Sequence, residues 1–521
     1  MTKDTLNQDI MNIPAEKFTF AQADKKLGDK KLQTKPVSYM RDAWRRFAKN
    51  KASIVGMVII AVLILFSIIA PFVSQYSIEY SDGAYRNVLP KISADASGGF
   101  WDGTERYEGS LAVYEREYAM GVESGRIVVQ KVYGRRTIMV EGQARTLYSY
   151  RRDTYNAVGY MFQTITRDQF QALQDYQNET GIQVIYPMLD KDEMYASTNA
   201  NYWYQTYAEG SSHAGEAVFD EDGNYIPLYR TGRASSYSLY DSLRIAGDPG
   251  IEDPDSSDAY VYYRVVQGGV EVRVLYYEYY VYMNGFEPYF IFGATGTGGD
   301  LFVQVASGTR FSLMLAIGVA VVNLIIGAIY GAIEGFYGGK TDLIMERILD
   351  ILNGVPFMIV AVLFNMHLAD SLGVVGALIF AFVLTGWIGT AATVRMQFYR
   401  FKKQEYVLAA RTLGARDRRL IMKHIFPNAL GTIITSAALY IPSVIFSETS
   451  LAYLGIINLN NPSEGLISLG SLLTSGQAAI ATFPHIMLFP AIIIALLMIS
   501  FNLFGNGLRD AFNPSLRGSD G

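Results

Sequence analysis

Cysteine is absent from the 521 residues, and only 4 histidines are scattered among them. Without cysteine there is no disulfide staple, no thiol nucleophile and no thiolate-ligated zinc. Four dispersed histidines argue against a histidine-based metal site. Charge is scarce as well. Lys, Arg, Asp and Glu make up 18% of the chain, 44 basic against 49 acidic, for a formal net of −5. Apolar and aromatic residues fill the space instead: half of the chain is hydrophobic, and Tyr occurs 37 times. The length leaves room for two domains.

The apolar residues gather in six runs, at 54–73, 311–333, 348–366, 372–394, 425–446 and 483–504. About 20 residues at 1.5 Å rise cross a hydrocarbon core of about 30 Å. A buried helix of a soluble protein accounts for one such run, but not for six together. The first run begins too far from residue 1 to be a cleaved signal peptide, and no small-residue cleavage site follows it.

Lys and Arg set the expected orientation. They cluster before the first run (Lys25, Lys26, Lys30, Lys31, Arg41, Arg45, Arg46, Lys49) and again over 400–423. The positive-inside rule places both stretches in the cytoplasm. Counting six runs from an inside N-terminus puts 400–423 inside again, and the C-terminus too. Residues 75–300 then lie outside. They hold about 32 acidic and 18 basic residues, a net of about −14, so the remainder carries about +9. Alternating stretches such as RIVVQKVYG, GIQVIYP and VEVRVLYYEYYVYM read as strands. RDQFQALQDYQNETG reads as a helix, capped by Thr166 and stopped by Gly181. The expected fold is a six-helix membrane permease frame with an inserted extracellular α+β domain. Its divisions are 1–52 cytoplasmic, 53–74 the first transmembrane helix, 75–300 the insert, 301–508 the five-helix core and 509–521 a cytoplasmic tail. The first 35 residues are polar and expected to be poorly ordered.

One charged segment interrupts the greasy frame: EYVLAARTLGARDRRLIMKHIFPNAL, 405–430. Residues 398–413 are expected to form one helix, with Glu405, Ala409 and Ala410 near its middle. Gly414 ends it, since glycine accepts positive φ. Ala415 and Arg416 follow, Asp417 caps a second short helix, and Pro427 opens the fifth run. A basic loop that only sets topology needs no such helix–Gly–helix pattern, so the pattern is assigned a docking role.

That segment resembles the "EAA" loop of ABC importer permeases, whose short helix sits in a cleft of an ATPase subunit. Leu408 stands where the family commonly has Glu, and Phe426 where Leu usually precedes the Pro. FGATGTGGDLFVQVASGTRFSL resembles the entry to the family's second span, with Gly293, Gly298, Asp300, Gly308, Arg310 and Ser312 matching and Gly299 in place of a usual Arg. GGKTDLIMERILDILNGVPFMIVAVL matches at Asp342, Met345, Arg347, Asp350 and Pro356. SETSLAYLGI and FNLFGNGLRDAFNPSLRG match the fifth-span exit and the C-terminus. The subfamily is that of the "C" permease subunits of oligopeptide and dipeptide importers. It implies a type I ABC importer-like fold. The implied partners are a second homologous permease, two ATPase subunits, an extracellular peptide-binding lipoprotein, a peptide substrate and membrane lipid, with no nucleic acid. It implies a multi-pass plasma-membrane location and no catalytic residue, metal or cofactor on this chain, with ATP-Mg bound by partner subunits. The 75–300 insert has no counterpart in the short family members.

Polar or helix-breaking positions within the runs are candidates to line a pore: Asn323, Tyr330, Asn353, Pro356, Tyr440, Pro442 and Ser443. Helix packing is the other reading of the same residues. In the insert, Tyr202, Trp203 and Tyr204 are candidates to dock the binding lipoprotein, with the insert's own core as the alternative. Arg347 and Asp350, three apart, are expected to pair. GATGTGG lacks the Gly-Lys-Ser/Thr of a nucleotide loop. An ion-coupled secondary transporter is a rival reading, disfavoured because the runs are nearly free of acids at mid-depth. A membrane-anchored sensor or adhesin, the other rival, leaves the 405–425 pattern unexplained.

Overall fold

The computed structural model describes residues 39–140, 143–190, 199–208, 210–232 and 257–512. The expectations for the first 35 residues and for most of the 509–521 tail lie outside them. In chain order, α1 (Tyr39–Lys49) and α2 (Lys51–Val73) come first. The insert holds β1 (Thr104–Ser110), α3 (Leu111–Ser124), β2 (Val129–Val140), β3 (Gln143–Asp153), β4 (Tyr160–Ile165), α4 (Arg167–Thr180), β5 (Ile185–Tyr186), β6 (Tyr263–Val266), β7 (Gly269–Leu275) and α5 (Tyr276–Asn284). Next come α6 (Leu301–Tyr337), α7 (Gly339–Asn353), α8 (Phe357–Gly386), α9 (Ile388–Phe401), α10 (Glu405–Thr412) and α11 (Asp417–Arg419). The chain closes with α12 (Phe426–Tyr453), a two-residue ladder of β8 (Asn460–Asn461) and β9 (Leu466–Ile467), α13 (Leu469–Gln477) and α14 (His485–Phe512).

Among the described residues, five helical stretches are long and apolar enough to cross a membrane: Lys51–Val73, Leu301–Tyr337, Phe357–Phe401, Asp417–Tyr453 and His485–Phe512. The third of them is a hairpin. Gly373 inside α8 has φ 74° and ψ 160°, which no helix accommodates. Phe357 and Phe382 would be about 37 Å apart on a continuous helix. Instead their rings stack with centroids 4.8 Å apart, and Phe364 meets Phe380 at 6.4 Å. The two arms therefore fold back on each other, and six apolar passes are present. The third pass starts later than the 348–366 run suggested, because Ile348–Asn353 belongs to α7 and Gly354–Pro356 breaks the helix.

Small residues bring the helices into contact. Gly327, Gly331 and Gly335 recur every four positions on the face of α6 turned to α9. A methyl group at Gly327 would come within 2.7 Å of Thr390 Cβ, and one at Gly335 within 2.6 Å of the Arg395 carbonyl. At Gly331 it would overlap the Ala391 carbonyl. Such spacing lets backbones touch where lipid offers no hydrophobic drive. Gly56 does the same for α2 against the Ser500 carbonyl of α14, at 2.7 Å.

Among its described residues the insert contains two antiparallel sheets, β1–β3–β2 and β4–β7–β5 with β6 also on β7. Helix α4 begins with the expected Thr166, in a reciprocal capping box with Gln169, and ends at Gly181 with φ 72°. Phe170 and Leu173 on its inner face close over Val270, Val272 and Val274 of β7. The expected strand across 270–283 stops at Leu275. Tyr276–Asn284 is helical because Tyr277 and Tyr280, three apart, enter one aromatic core with Tyr76, Tyr85, Tyr155 and Phe290. That packing outweighs the β preference of a Tyr run.

The insert's two ends meet. Asp82 N–H donates to the Gly298 carbonyl (3.1 Å), Asn87 to Thr295 (3.1 Å), Ala294 to Val88 (3.0 Å) and Lys91 to Phe290 (2.8 Å). This two-stranded neck joins the insert to α2 and α6. At its base Asp300 caps α6 through Phe302 N–H (3.0 Å) and accepts from Ser74 Oγ (2.7 Å), tying together the ends of the two helices.

Candidate functional site

The 405–425 element is two helices around a left-handed glycine. Gly414 has φ 84°. Its N–H donates to the Arg411 carbonyl (3.0 Å), and Ala415 N–H reaches back to the Ala410 carbonyl (3.0 Å). This is the paired closure of a glycine C-cap. Two local expectations need correction. The helix expected over 398–413 is broken at Lys402–Gln404, where Gln404 takes extended backbone (ψ 145°) as the cap residue of α10, and the Lys402 ammonium donates to the Gly335 (2.7 Å) and Phe336 (3.2 Å) carbonyls. Asp417 occupies the first helical position, and Arg416 precedes it as the cap residue with no side-chain cap bond.

One face of the element is anchored. Val407, Leu420 and Ile425 are fully buried against Ala332 and Phe336 of α6, Val394 and Phe398 of α9, and Ala429 and Ile433 of α12. The other face is bare. Leu413 is 88% exposed, and Leu408 and Met422 are exposed. Glu405, Ala409, Arg416 and Asp417 are exposed beside them, with Ala410 and Ala415 half-buried. A rigidly seated element with an apolar and charged crown suits a partner surface better than solvent.

Arg395, a residue the sequence reading passed over, ties the surrounding helices together. Its guanidinium lies 2.6 Å from Asp342 and 3.3 Å from Glu346, both on α7, and 3.3 Å from Glu334 on α6. Tyr399 OH also donates to Asp342 (2.8 Å). The hydrogen bonds from Arg395 hold the Asp342 carboxyl below the usual range. Arg347 and Asp350 pair as expected (2.7 Å), on the exposed side of α7.

The pore candidates separate into two groups. Asn323 is enclosed: its Nδ2 donates to the Phe382 carbonyl and to Tyr440 OH, each 3.3 Å. Pro442 is buried within α12. Both are packed inside this chain. Tyr330 is half-buried, with its OH on the Met345 carbonyl (2.9 Å). Asn353, Pro356 and Ser443 are exposed, and Tyr440 is half-exposed.

Around Tyr440 and Ser443 the structure shows a pattern that single-residue reading missed. Thr432, Ser436, Tyr440, Ser443, Ser447 and Ser450 follow one another at spacings of three or four, so they share one face of α12. All six are exposed or half-exposed in this chain. A face turned to lipid would be apolar; six hydroxyls in a row mark a face turned to water or protein. Toward the 405–425 end this stripe opens into a groove of about 400 Å³ lined by Thr393, Gln397, Arg400 and Arg509. At the other end lies a hollow of about 350 Å³ whose lining includes Asn458, Asn460, Ser471 and Thr474 among apolar residues.

Two acids are also buried inside the spans, where the sequence reading expected almost none. Glu334 and Glu448 are both fully buried. Each lies just beyond the end of an apolar run, and the helices extend farther than the runs. Glu448 accepts from Ser312 Oγ (3.0 Å).

The docking candidates in the insert are corrected by burial. Tyr204 has no exposed surface and Trp203 is 8% exposed. The segment is not a free loop: Leu228 N–H donates to the Trp203 carbonyl (2.8 Å) and Gln205 N–H to Ile226 (2.8 Å). Trp203 stacks on Tyr229 at 5.8 Å. Only Tyr202 keeps partial exposure, with the Arg116 guanidinium 5.6 Å from its ring centroid.

Residues 324–518 match the family profile described as the binding-protein-dependent transport system inner membrane component. Residues 38–90 match the N-terminal transmembrane domain of oligopeptide transport permease C. Most of the insert falls between the two. The oligopeptide transport system permease protein OppC of Bacillus subtilis is 44% identical over 226 residues, covering 43% of this chain and 72% of that protein. OppC of Haemophilus influenzae is 39% identical over 44% of this chain and 72% of its own length. The dipeptide permease DppC of Bacillus subtilis is 38% identical over 43% and 69%. Among solved structures, a methionine ABC transporter in inward-facing conformations aligns over 40% of this chain and 96% of its own. That match has 16% identity and a TM-score of 0.34. The chain belongs to the family of binding-protein-dependent transport system inner membrane components, in the oligopeptide and dipeptide permease branch.

Proposed function

We propose that this chain is one half of the translocation path of an ATP-driven peptide importer. A second, homologous permease supplies the other half, with the hydroxyl stripe of α12, Ser443 included, and the exposed Asn353 and Pro356 facing the shared path. Two ATPase subunits seat against the exposed crown of 405–425, hold ATP-Mg and do the hydrolysis. A peptide-binding lipoprotein delivers substrate on the side of the insert. Closure of the ATPases displaces the 405–425 element, and its buried anchors carry α6, α9 and α12 with it as a rigid body.

The observation that carries this reading is the seating of 405–425: anchored by Val407, Leu420 and Ile425, bare at Leu408, Leu413 and Met422. An element that served topology alone would need neither. The N-terminus, the 405–425 element and the C-terminus are assigned to the cytoplasm, and the insert to the outside.

The test uses the natural absence of cysteine. Single cysteines at Ser97 or Ser212 should react with an impermeant thiol reagent on intact cells, and one at Ala415 should not. The purified chain should bring down a second permease and ATPase subunits. Labelling of position 415 from outside, or purification without an ATPase, would defeat the proposal. Buried Glu334 and Glu448 give the ion-coupled alternative a foothold. On the ATP-driven reading, proteoliposomes with a proton gradient and no ATP show no uptake; uptake there would favour the ion-coupled alternative.

A further inference from the structure

The insert does not simply stand above the helices. Its loop 92–101 is closed by Ile92 N–H on the Trp101 carbonyl (3.0 Å) and by a bridge between Lys91 and Asp102. Gly98 and Gly99, at φ 130° and 95°, turn the chain, and Trp101 itself takes φ 54°. The Trp101 ring is thereby directed toward α14, where it stacks on Phe489 at 5.8 Å, and its Nε1 donates to the Ile291 carbonyl. Phe292 stacks on the same Phe489 at 4.1 Å and lies 6.3 Å from Phe66 of α2.

These contacts set the depth of the loop. Phe489 is four residues into α14, about 6 Å below its first residue. Trp101 is therefore level with the first turns of the membrane helices and not with the body of the insert. Next to it Phe100 is 83% exposed and Ile92 58%. The membrane helices carry bare apolar side chains of the same kind near these ends: Phe72 at the end of α2 is 85% exposed, and Leu488, next to Phe489 in the chain, is 53% exposed. Large apolar side chains left bare at the ends of membrane helices face lipid, and an indole with a bonded N–H and an apolar body suits the boundary between headgroups and acyl chains.

We infer that loop 92–101 is a membrane-interface anchor of the insert, with Phe100 and Ile92 entering the acyl boundary of the adjacent leaflet and Trp101 resting at headgroup level. The occupant of this surface is lipid. The anchor fixes the insert to the bilayer plane at a point separate from the 82–91/290–298 neck, so the insert is held at two places and cannot swivel about the neck.

The experiment places a spin label on a single cysteine at Phe100→Cys, with Phe219→Cys as control, in the full transporter reconstituted in phosphatidylcholine/phosphatidylglycerol nanodiscs. Phe219 is an exposed aromatic that packs on Tyr225 within the insert. Collision rates with oxygen, which concentrates in acyl chains, are compared with those for a water-soluble nickel chelate. The oxygen-to-nickel ratio at position 100 should be several-fold above that at 219. A ratio equal to that at 219 means that the loop is in water, and the inference fails. Low collision with both reagents, relieved when the partner permease is left out, means that a protein covers Phe100, and the inference fails equally. Peptide uptake by cells carrying each single-cysteine variant confirms that each transporter is folded.

Discussion

Arg395 on α9 grips Asp342 on α7 with two nitrogens, Nε to Oδ1 at 2.6 Å and a terminal nitrogen to Oδ2 at 3.1 Å. The same guanidinium is the cation nearest the fully buried Glu334. Removing it leaves a carboxylate enclosed without a countercharge, and breaking a buried pair from one side costs about 3–5 kcal/mol. Because Arg395 keeps 29% of its side-chain surface exposed, the lower end of that range applies. Arg395→Ala should lower the unfolding temperature of the purified transporter. Arg395→Ala combined with Glu334→Gln should recover part of the loss. A double variant no more stable than the single one would show that Glu334 is not the group left uncompensated.

Gly414 and Leu413 allow geometry and contact to be tested apart. A Cβ at Gly414 meets no atom within 4 Å, so the cost of a substitution there is set by the positive φ. For an L-residue that cost is about 1–2 kcal/mol. Gly414→Val should loosen the turn, reducing uptake and ATPase association together. Leu413→Asp leaves the turn intact, since Leu413 is 88% exposed. It should weaken ATPase association with no change in permease stability. Normal uptake by both variants would remove the assignment of this element as the docking site.

Stability should depend on pH through Asp300. Burial raises its carboxyl from the usual 3.8 to about 6. Between those values the folded chain holds a proton that the unfolded chain has released, so stability falls as pH rises from about 4 to 6 and then levels off. The full loss is on the order of 3 kcal/mol. Asp300→Asn keeps an acceptor for Phe302 N–H and should flatten this part of the profile. A wild-type-minus-variant difference that does not change between pH 4.5 and 6.5 would assign the pH dependence elsewhere.

The neck says where the insert can be cut. Joining Lys91 to Phe290 by a short Gly/Ser turn follows an existing hydrogen bond of 2.8 Å and keeps Tyr85, Val88 and Phe290 in place. The shortened permease should assemble with its ATPases normally, and its affinity for the binding lipoprotein should fall. Both cuts delete Tyr155 and the Tyr276–Asn284 helix from the aromatic core; cutting instead at 81 and 287 also deletes Tyr85, Val88 and the neck hydrogen bonds of Asp82, Asn87 and Lys91, and should impair assembly. Unchanged lipoprotein affinity after the conservative cut would exclude a docking role for the insert.

Along α12, Ser443→Leu makes one step of the hydroxyl stripe apolar without altering a buried position. Peptide uptake should drop several-fold while the amount of assembled complex stays constant. Unaffected uptake would indicate that the stripe faces something other than the path.

Local signals were legible in the sequence to the residue. Thr166, Gln169 and Gly181 delimit a helix because capping is a matter of three or four neighbouring residues, and Gly414 ends one for the same reason. The passes were legible by composition, apart from the start of the third, where an amphipathic helix merges into an apolar run. Contacts between distant positions were not legible. Nothing local marks Arg395 as the partner of Glu334, 61 residues earlier, or shows that 203–205 pairs with 226–228 and so buries Trp203 and Tyr204. The Tyr276–Asn284 stretch was misread because its conformation is decided by Tyr76, Tyr85 and Phe290, far away in the chain. The hydroxyl stripe is legible at helical spacing, whereas within the apolar runs Tyr440 and Ser443 stand out singly as polar residues.

The contact of α6 with α9 at Gly327, Gly331 and Gly335 also bears on how many parts this machine has. Backbones that touch along three successive steps cannot slide or tilt past one another without collision, so the two helices behave as a single beam. The beam ends where Phe336 and Phe398 grip Val407, Leu420 and Ile425. A push at that end arrives at the other with little lost to bending. Six passes through the membrane therefore amount to fewer than six independent movers, and larger residues at these three glycines would separate one strut into two.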